Sequence, residues 1–229
     1  MSSEAAIIFS DDPFRLRVPA EALLHRGFRD WVLSDEFPEK VKASWIEGEV
    51  LIDMSPEAID THNTLKTELT ITLGAIVRDE GLGELYSDGV LFTNEEAAVS
   101  TEPDLMFVSF AALDQGRVHF AMKATRDDDR LELQGTPDLV VEVISDSSTR
   151  KDDKLLRAAY ARAGVPEYWL LDGRGAELRF DLLRLEGGSY VKRDESIAFG
   201  RRFVLERKKN RANHWSYFLR ATEPAPRPA

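Results

Sequence analysis

Cysteine is missing from all 229 residues, so neither a disulfide framework nor a thiolate metal centre can be built, and the chain suits a reducing compartment. Long apolar runs are missing as well. Nothing approaches the roughly 18 to 20 residues that a membrane-crossing helix needs, and no basic segment leads into an apolar core at the start. The expectation is a soluble, cytoplasmic protein with no membrane contact. Positive charge is the third scarcity: Lys and Arg number 30 against 41 Asp and Glu, a net charge of −11. That balance argues against a protein that coats nucleic acid non-specifically, because such affinity comes from cations neutralising phosphates. It leaves a nuclease open, since a metal site needs carboxylates. No internal repeat is visible.

What is present suffices for one sizeable core, with 43% hydrophobic residues in a chain of single-domain length. The reading is one domain over residues 41–220, an N-terminal helical extension over 1–40 and a disordered tail rich in proline over 221–229. Residues 45–54 read as a strand or hairpin broken at Gly48. Ser55-Pro56-Glu57 carries a helix-start signal, a capping hydroxyl followed by proline and an acid, for a helix reaching about Asp79 ahead of Gly81. Along it His62, Leu65, Leu69, Leu73 and Ile76 recur at three- and four-residue steps, which puts His62 on the core-facing stripe.

Residues 83–92 and 103–108 look like strands, and a polar, Asp-rich connection runs from there to Gly135, with a hairpin or helix possible over 117–122. Asp127-Asp128-Asp129 reads most simply as solvated loop. Beyond it come a strand around residues 138–145, a helix from Ser147-Ser148 to Gly164, a buried strand over 166–172 and a closing hairpin over 178–191. This order predicts an α/β fold, a mixed β-sheet flanked by helices.

The chemistry concentrates at Glu142, lodged among Val140, Val141, Val143 and Ile144. A strand apolar on both faces is central in its sheet, and a carboxylate shielded there must be paired, hydrogen-bonded or metal-bound. Asp138 cannot share an ion with it, because four residues of strand separate their α-carbons by about 13 Å; its reading is structural. The partner should come from a neighbouring strand, and Asp104, after Pro103 and before Leu105-Met106-Phe107-Val108, supplies one. Two such carboxylates can bind a hard cation such as Mg²⁺, with Mn²⁺ as the alternative.

Asp104 after Pro103, followed by a second strand carrying Glu142, resembles the PD-(D/E)XK restriction-endonuclease-like superfamily. The run Pro137-Asp138-Leu139-Val140-Val141-Glu142-Val143-Ile144-Ser145, with Ala161-Arg162-Ala163-Gly164-Val165-Pro166-Glu167-Tyr168-Trp169-Leu170-Leu171-Asp172, is similar to its Uma-two branch. The resemblance implies a restriction-endonuclease-like fold and metal-assisted phosphodiester hydrolysis on DNA. Asp104, Glu142 and the carbonyl of Val143 would hold Mg²⁺. Ile144 stands where the superfamily carries its lysine, and the branch's helical lysine position falls on Leu156. Lys151 and Lys154 are the nearby substitutes, with helical geometry favouring Lys151, and the branch's aspartate matches Asp152. His62 would serve as a proton carrier or support a metal ligand. A homodimer is expected, since cutting two strands commonly uses two sites and C₂ symmetry is the commonest assembly.

Plainer readings stand beside these. Pro-Asp is common turn chemistry, His62 suits a hydrogen-bonded core, Lys151 and Lys154 suit solvent, and Asp152 suits a helix N-terminus. Tyr168 and Trp169 read as core or interface aromatics. The basic run Arg207-Lys208-Lys209-Asn210-Arg211 reads as a phosphate contact or a solvated segment. The competing function is a catalytically degenerate nuclease fold that binds or regulates a partner.

Overall fold

In the computed structural model, which describes residues 6–11, 14–38, 41–123, 126–145 and 151–222, the chain opens on an antiparallel hairpin, β1 (Ala6–Asp11) and β2 (Phe14–Pro19). Helix α1 (His25–Val32) comes only afterwards, so the region expected to be helical is half strand. The reason lies in the alternation Leu16, Arg17, Val18, a period of two. Leu16 and Val18 point inward and pack with Phe28 and Trp31 of α1 against Ala43 and Trp45.

Those last two belong to β3 (Lys42–Ile46), which pairs with β4 (Glu49–Asp53). Glu47 and Gly48 join them with φ of 54° and 90°, the paired left-handed conformations of a tight hairpin turn. Helix α2 (Thr64–Glu80) starts later than Ser55 signals: Ala58 is extended, and a π-helical turn (Ile59–Asn63) leads in, with no side chain capping its first residues. Gly81, at φ 60°, closes the helix in the left-handed conformation that glycine adopts without strain.

The chain continues through β5 (Gly83–Ser87), β6 (Leu91–Asn94), β7 (Val99–Thr101), β8 (Leu105–Ser109) and the short α3 (Phe110–Asp114). The Asp-rich connection is ordered secondary structure rather than loop: β9 (Val118–Lys123) pairs antiparallel with β10 (Arg126–Gly135). Asp127-Asp128-Asp129 lies on β10, and its side chains lie outside the described atoms. Strand β11 (Leu139–Val143) is followed by a second π-helical turn (Lys151–Leu156), α4 (Arg157–Arg162) and β12 (Glu167–Asp172). Ser147 and Ser148, read as that helix's start, and the tail from residue 223 lie outside the described residues. The last strands are β13 (Arg179–Glu186), β14 (Ser189–Lys192), β15 (Glu195–Ser196), β16 (Arg201–Lys209) and β17 (Trp215–Ala221).

Two six-stranded sheets organise the molecule, in the orders β4-β3-β7-β6-β10-β9 and β14-β13-β12-β11-β8-β5. Both are mixed; β11 runs parallel to β12 and antiparallel to β8. The fold is therefore α/β, with mixed sheets flanked by helices. Strand β11 is buried throughout. Leu139, Val141 and Val143 pack with Leu65, Leu69 and Leu73 of α2, while Val140 and Ile144 pack with Tyr160 of α4 and with Phe92 and Leu133 of the other sheet. Burying each aliphatic side chain contributes about 1.5–3 kcal/mol, and that apolar pressure fixes where the ends of β8 and β11 lie.

Candidate active site

Strands β8 and β11 pair with Val141 opposite Leu105, so one further step sets Glu142 beside Asp104. Asp104 and Glu142 are 6% and 5% exposed. The buried carboxylates find different partners. Asp104 Oδ2 accepts the backbone N–H of Val143 at 2.7 Å, and Glu142 Oε1 accepts the hydroxyl of Tyr160 at 2.6 Å. Residues of a strand direct N–H and C=O toward the same neighbour, so the Val143 carbonyl also faces the Asp104 side.

The π-helical turn brings a second set of groups to Asp104. His62 Nε2 lies 3.4 Å from Asp104 Oδ2 and His62 Nδ1 lies 3.4 Å from Glu57 Oε2. Nδ1 is buried and makes no hydrogen bond among the described residues. One turn along α2, buried Lys66 extends Nζ to Glu57 Oε1 at 2.7 Å, Asp88 Oδ2 at 2.5 Å and Asp104 Oδ1 at 3.7 Å. Lys42, from β3, reaches Asp88 Oδ1 at 2.8 Å and Glu57 Oε1 at 3.2 Å. Backbone geometry locks the cluster further, since the Asp88 N–H donates to the Asp104 carbonyl at 3.1 Å.

The electrostatics follow from this crowding. Burial alone would raise the Asp104 carboxyl, but its hydrogen bond and charge interaction with His62, the Lys66 ammonium and the Val143 N–H together hold it below the usual carboxylate range. Burial likewise opposes ionisation of Glu57, yet Lys66, His62 and Lys42 bring it down to about 2. Burial pushes His62 toward neutrality, and Asp104 and Glu57 override it, so the imidazole sits above its ordinary value. Lys66 is raised in the same way by Asp88, Glu57 and Asp104 against desolvation.

Glu57, His62 and Asp104 each bring one donor atom within 4.8 Å of the others. A mixed nitrogen and oxygen set suits Mn²⁺ better than Mg²⁺, which favours oxygen ligands and retains water. Both carboxyls are depressed and one imidazole nitrogen has no hydrogen-bond partner among the described residues, so the donors fit a divalent cation, which would displace the imidazole's extra proton.

The sequence-predicted residues divide in two. Asp104, the Val143 N–H and His62 meet at the ends of β8, β11 and the lead-in to α2, while Glu142, beside Asp104 in register, accepts from Tyr160 and stands outside the Glu57–His62–Asp104 group. Lys154 is exposed on the outward face before α4, where it lines an open cavity of about 580 Å³ with Arg157, Ala158 and Ala161; Leu156, Ala159 and Tyr160 form the buried face. The side chains of Lys151 and Asp152 lie outside the described atoms. Asp138 is structural: it accepts the Ser109 N–H at 2.6 Å and pairs with Arg117 at 2.5 Å.

Both positions where the resemblance would put a lysine are packed shut. Ile144 and Leu156 are 1% and 0% exposed and belong to one apolar cluster with Tyr160. Glu57, Lys66, Lys42, Asp88 and Tyr160 escaped the sequence reading. Lys66 carried a signal, standing four residues after His62 on the same helical stripe; the other four come from elements whose meeting no local pattern encodes.

The sequence profile of the Uma2 family, described as "Putative restriction endonuclease", matches residues 28–203. A solved structure described as a putative nuclease belonging to DUF820 from Anabaena variabilis is similar at 14% identity, over 62% of this chain and 76% of that one, with a TM-score of 0.44. No curated protein matches significantly. The profile covers most of the chain, including His62, Asp104 and Glu142, and the chain belongs to the Uma2 family.

Proposed function

We propose that the protein is a metal-dependent DNA endonuclease that hydrolyses phosphodiester bonds, acting as a homodimer with one such site in each subunit. The observation that carries this reading is Asp104: a buried, ionised carboxylate clamped by the Val143 N–H and grouped with His62 and Glu57 beside the Glu142 strand. Asp104 and Glu142, with the Val143 carbonyl, would hold the cation, and His62 and Glu57 complete or support its shell. A bound divalent ion lowers the pKa of water and screens a phosphate's charge.

The chain's own groups do the remaining work. Lys66, from α2, takes the role first assigned to Lys151 or Lys154: its ammonium, 3.7 Å from Asp104 Oδ1, stabilises charge developing on the phosphate. Glu57 and Asp88 hold that ammonium in place. His62, its imidazolium favoured by the Asp104 and Glu57 carboxylates, carries a proton to or from water, and Tyr160 fixes the Glu142 oxygens. Lys42 offsets the remaining negative charge, so an incoming phosphate meets a site that is not strongly repulsive.

One observation favours the binding-only alternative. Lys42 and Lys66 already face Glu57, Asp88 and Asp104, and an ammonium competes with a metal for the same oxygens. The deciding experiment is cleavage of plasmid, linear and single-stranded DNA and of RNA with Mg²⁺ or Mn²⁺, alongside Glu142→Gln and Asp104→Asn. Metal-dependent cutting abolished by both variants supports the nuclease. Cutting retained in both marks contamination, and no cutting together with no saturable ion binding leaves the binding protein.

A further inference from the structure

The hairpin of β16 and β17 lies almost entirely beyond the residues that the family profile matches, which end at 203. Its composition differs from that of the whole chain. Residues 201–220 hold seven Arg or Lys against a single Glu, in a protein of net charge −11. Arg202, Lys208, Lys209, Arg211 and Arg220 are exposed. Such a concentration of one sign on one element creates a local field opposed to the global one.

The hairpin lies along α2 in a fixed direction. Arg201 grips Glu80 at the far end of the helix at 2.7 Å, the Leu219 N–H donates to Glu68 at 2.8 Å, and His214 Nδ1 meets Asp60 Oδ2 at 3.1 Å. Moving toward the hairpin tip therefore means moving down the helix toward His62. Arg207 secures the same end by donating to the carbonyls of Gly173, Gly175 and Ala176 at 2.5–2.8 Å. Tyr217 and Leu219 are buried against α2, so the basic residues ride on a rigid base.

We infer that this hairpin is a docking rail for duplex DNA, its exposed cations Lys208, on the outward face, and Arg211, at the tip, gripping the phosphate backbone and leading it to the His62–Asp104 end of α2. The inference rests on the nuclease reading for its choice of DNA. Duplex is favoured over single strands by what the aromatics are doing. Arg207 and Lys209 lie over the Trp215 ring at 4.2 and 4.1 Å from its centroid, and Lys208 over Phe218 at 5.9 Å. These rings are engaged by cations, whereas single-strand binders present free rings on which bases stack. What remains on offer is charge at the spacing of a strand, which suits a backbone.

The test is fluorescence anisotropy of the full chain with a labelled duplex in EDTA over a salt series, comparing Lys208→Glu/Arg211→Glu with a control, Arg78→Glu/Arg193→Glu, that makes the same change of charge elsewhere. Lys208, Arg211 and Arg78 are exposed and Arg193 is half-buried, and thermal melting verifies folding. The hairpin variant should bind at least about 10-fold more weakly and lose about 2 from the slope of log K against log salt, with the control within about twofold of the unmodified chain. Equal losses in both variants, no loss in either, no duplex binding by the unmodified chain, or equal or tighter binding of single-stranded DNA or RNA would each overturn the inference. The two readings fail separately. A chain that grips duplex through the hairpin yet never cuts loses only its nuclease assignment, and one that cuts normally with the hairpin reversed loses only the rail.

Discussion

The hydroxyl of Tyr160 donates to Glu142 at 2.6 Å, tying α4 to the central strand through a buried carboxylate. Tyr160→Phe removes the donor and keeps the ring. Leaving a buried acceptor short of one partner costs about 1–3 kcal/mol, so the melting temperature should fall, and ion affinity should weaken as the Glu142 oxygens lose their fixed direction. An unchanged melting temperature would show that the bond contributes nothing.

Lys66 and Lys154 should separate cleanly in single-turnover cleavage. Lys66→Met should slow the reaction by about 10²–10³-fold, the scale on which a positioned charge stabilises a transition state, while Lys154→Ala should change it by less than about threefold. Because Lys66→Met also strips Glu57 and Asp88 of a partner, circular dichroism must verify its fold. A severe loss in Lys154→Ala with full activity in Lys66→Met would reverse the assignment.

The ion-free site should respond to pH from both sides. Asp104 and Glu57 have depressed carboxyls, so their stabilisation is present above the unfolded carboxylate value of about 4 and disappears as pH falls through the folded value. His62 is raised, so its stabilisation is complete below about 6.5 and is lost as pH climbs through its folded value. Denaturant midpoints across pH should thus form a dome, and His62→Asn should flatten its alkaline side and also weaken the acid side, because His62 helps to hold Asp104 and Glu57 down. The Glu57 share will be small, because that side chain is partly exposed and solvent screens it.

Ion preference gives a fourth expectation. Calorimetry and thermal shift should find Mn²⁺ bound more tightly than Mg²⁺, since a nitrogen donor joins the carboxylates. At 100 times Kd the ion would add about 2.7 kcal/mol of stability. Asp104→Asn should abolish the shift. A Mg²⁺ shift equal to that of Mn²⁺ would remove His62 from the shell.

An ion pair ties the N-terminal layer to the sheet beneath it. Arg29 of α1 donates from Nε and Nη2 to Glu132 at 2.7 and 2.8 Å, and Glu132 is fully buried. Burial works against its ionisation, and Arg29, Gln134 and Thr93 keep the carboxyl depressed. Glu132→Ala should cost about 1–3 kcal/mol, since Arg29 loses a buried partner but keeps Glu95. Protease digestion should then release the segment around α1 first.

Much of this was legible before the structure. The five-residue strand around Glu142 declared itself because only a central strand tolerates apolar residues on both faces, and the stripe of α2 announced His62. The first strand of the β9–β10 hairpin is legible as an option over 117–122, where Val118, Phe120 and Met122 alternate as a strand does, and the second is masked by Asp127-Asp128-Asp129, whose charge suggests solvent. Helix α2 began late because Glu57, which looks like a first-turn acid, is held by Lys42 and Lys66 instead. Such long-range pairing leaves no local trace. The superfamily resemblance points to a lysine near Glu142 in sequence, where Ile144 and Leu156 are packing residues; the buried ammonium beside Asp104 comes from another helix.

The widened turn ahead of α2 carries a lesson about how this protein can drift. A π-helical turn holds one residue more than an α-helix needs, an irregularity frequent at functional sites, and here it contains His62. Deleting a single residue from it would let the helix relax into ordinary winding and swing the imidazole by about 100° about the axis, away from Asp104. The shortened chain should melt higher and bind Mn²⁺ poorly, so that one lost codon would exchange chemistry for robustness while the sheets beneath stay as they are.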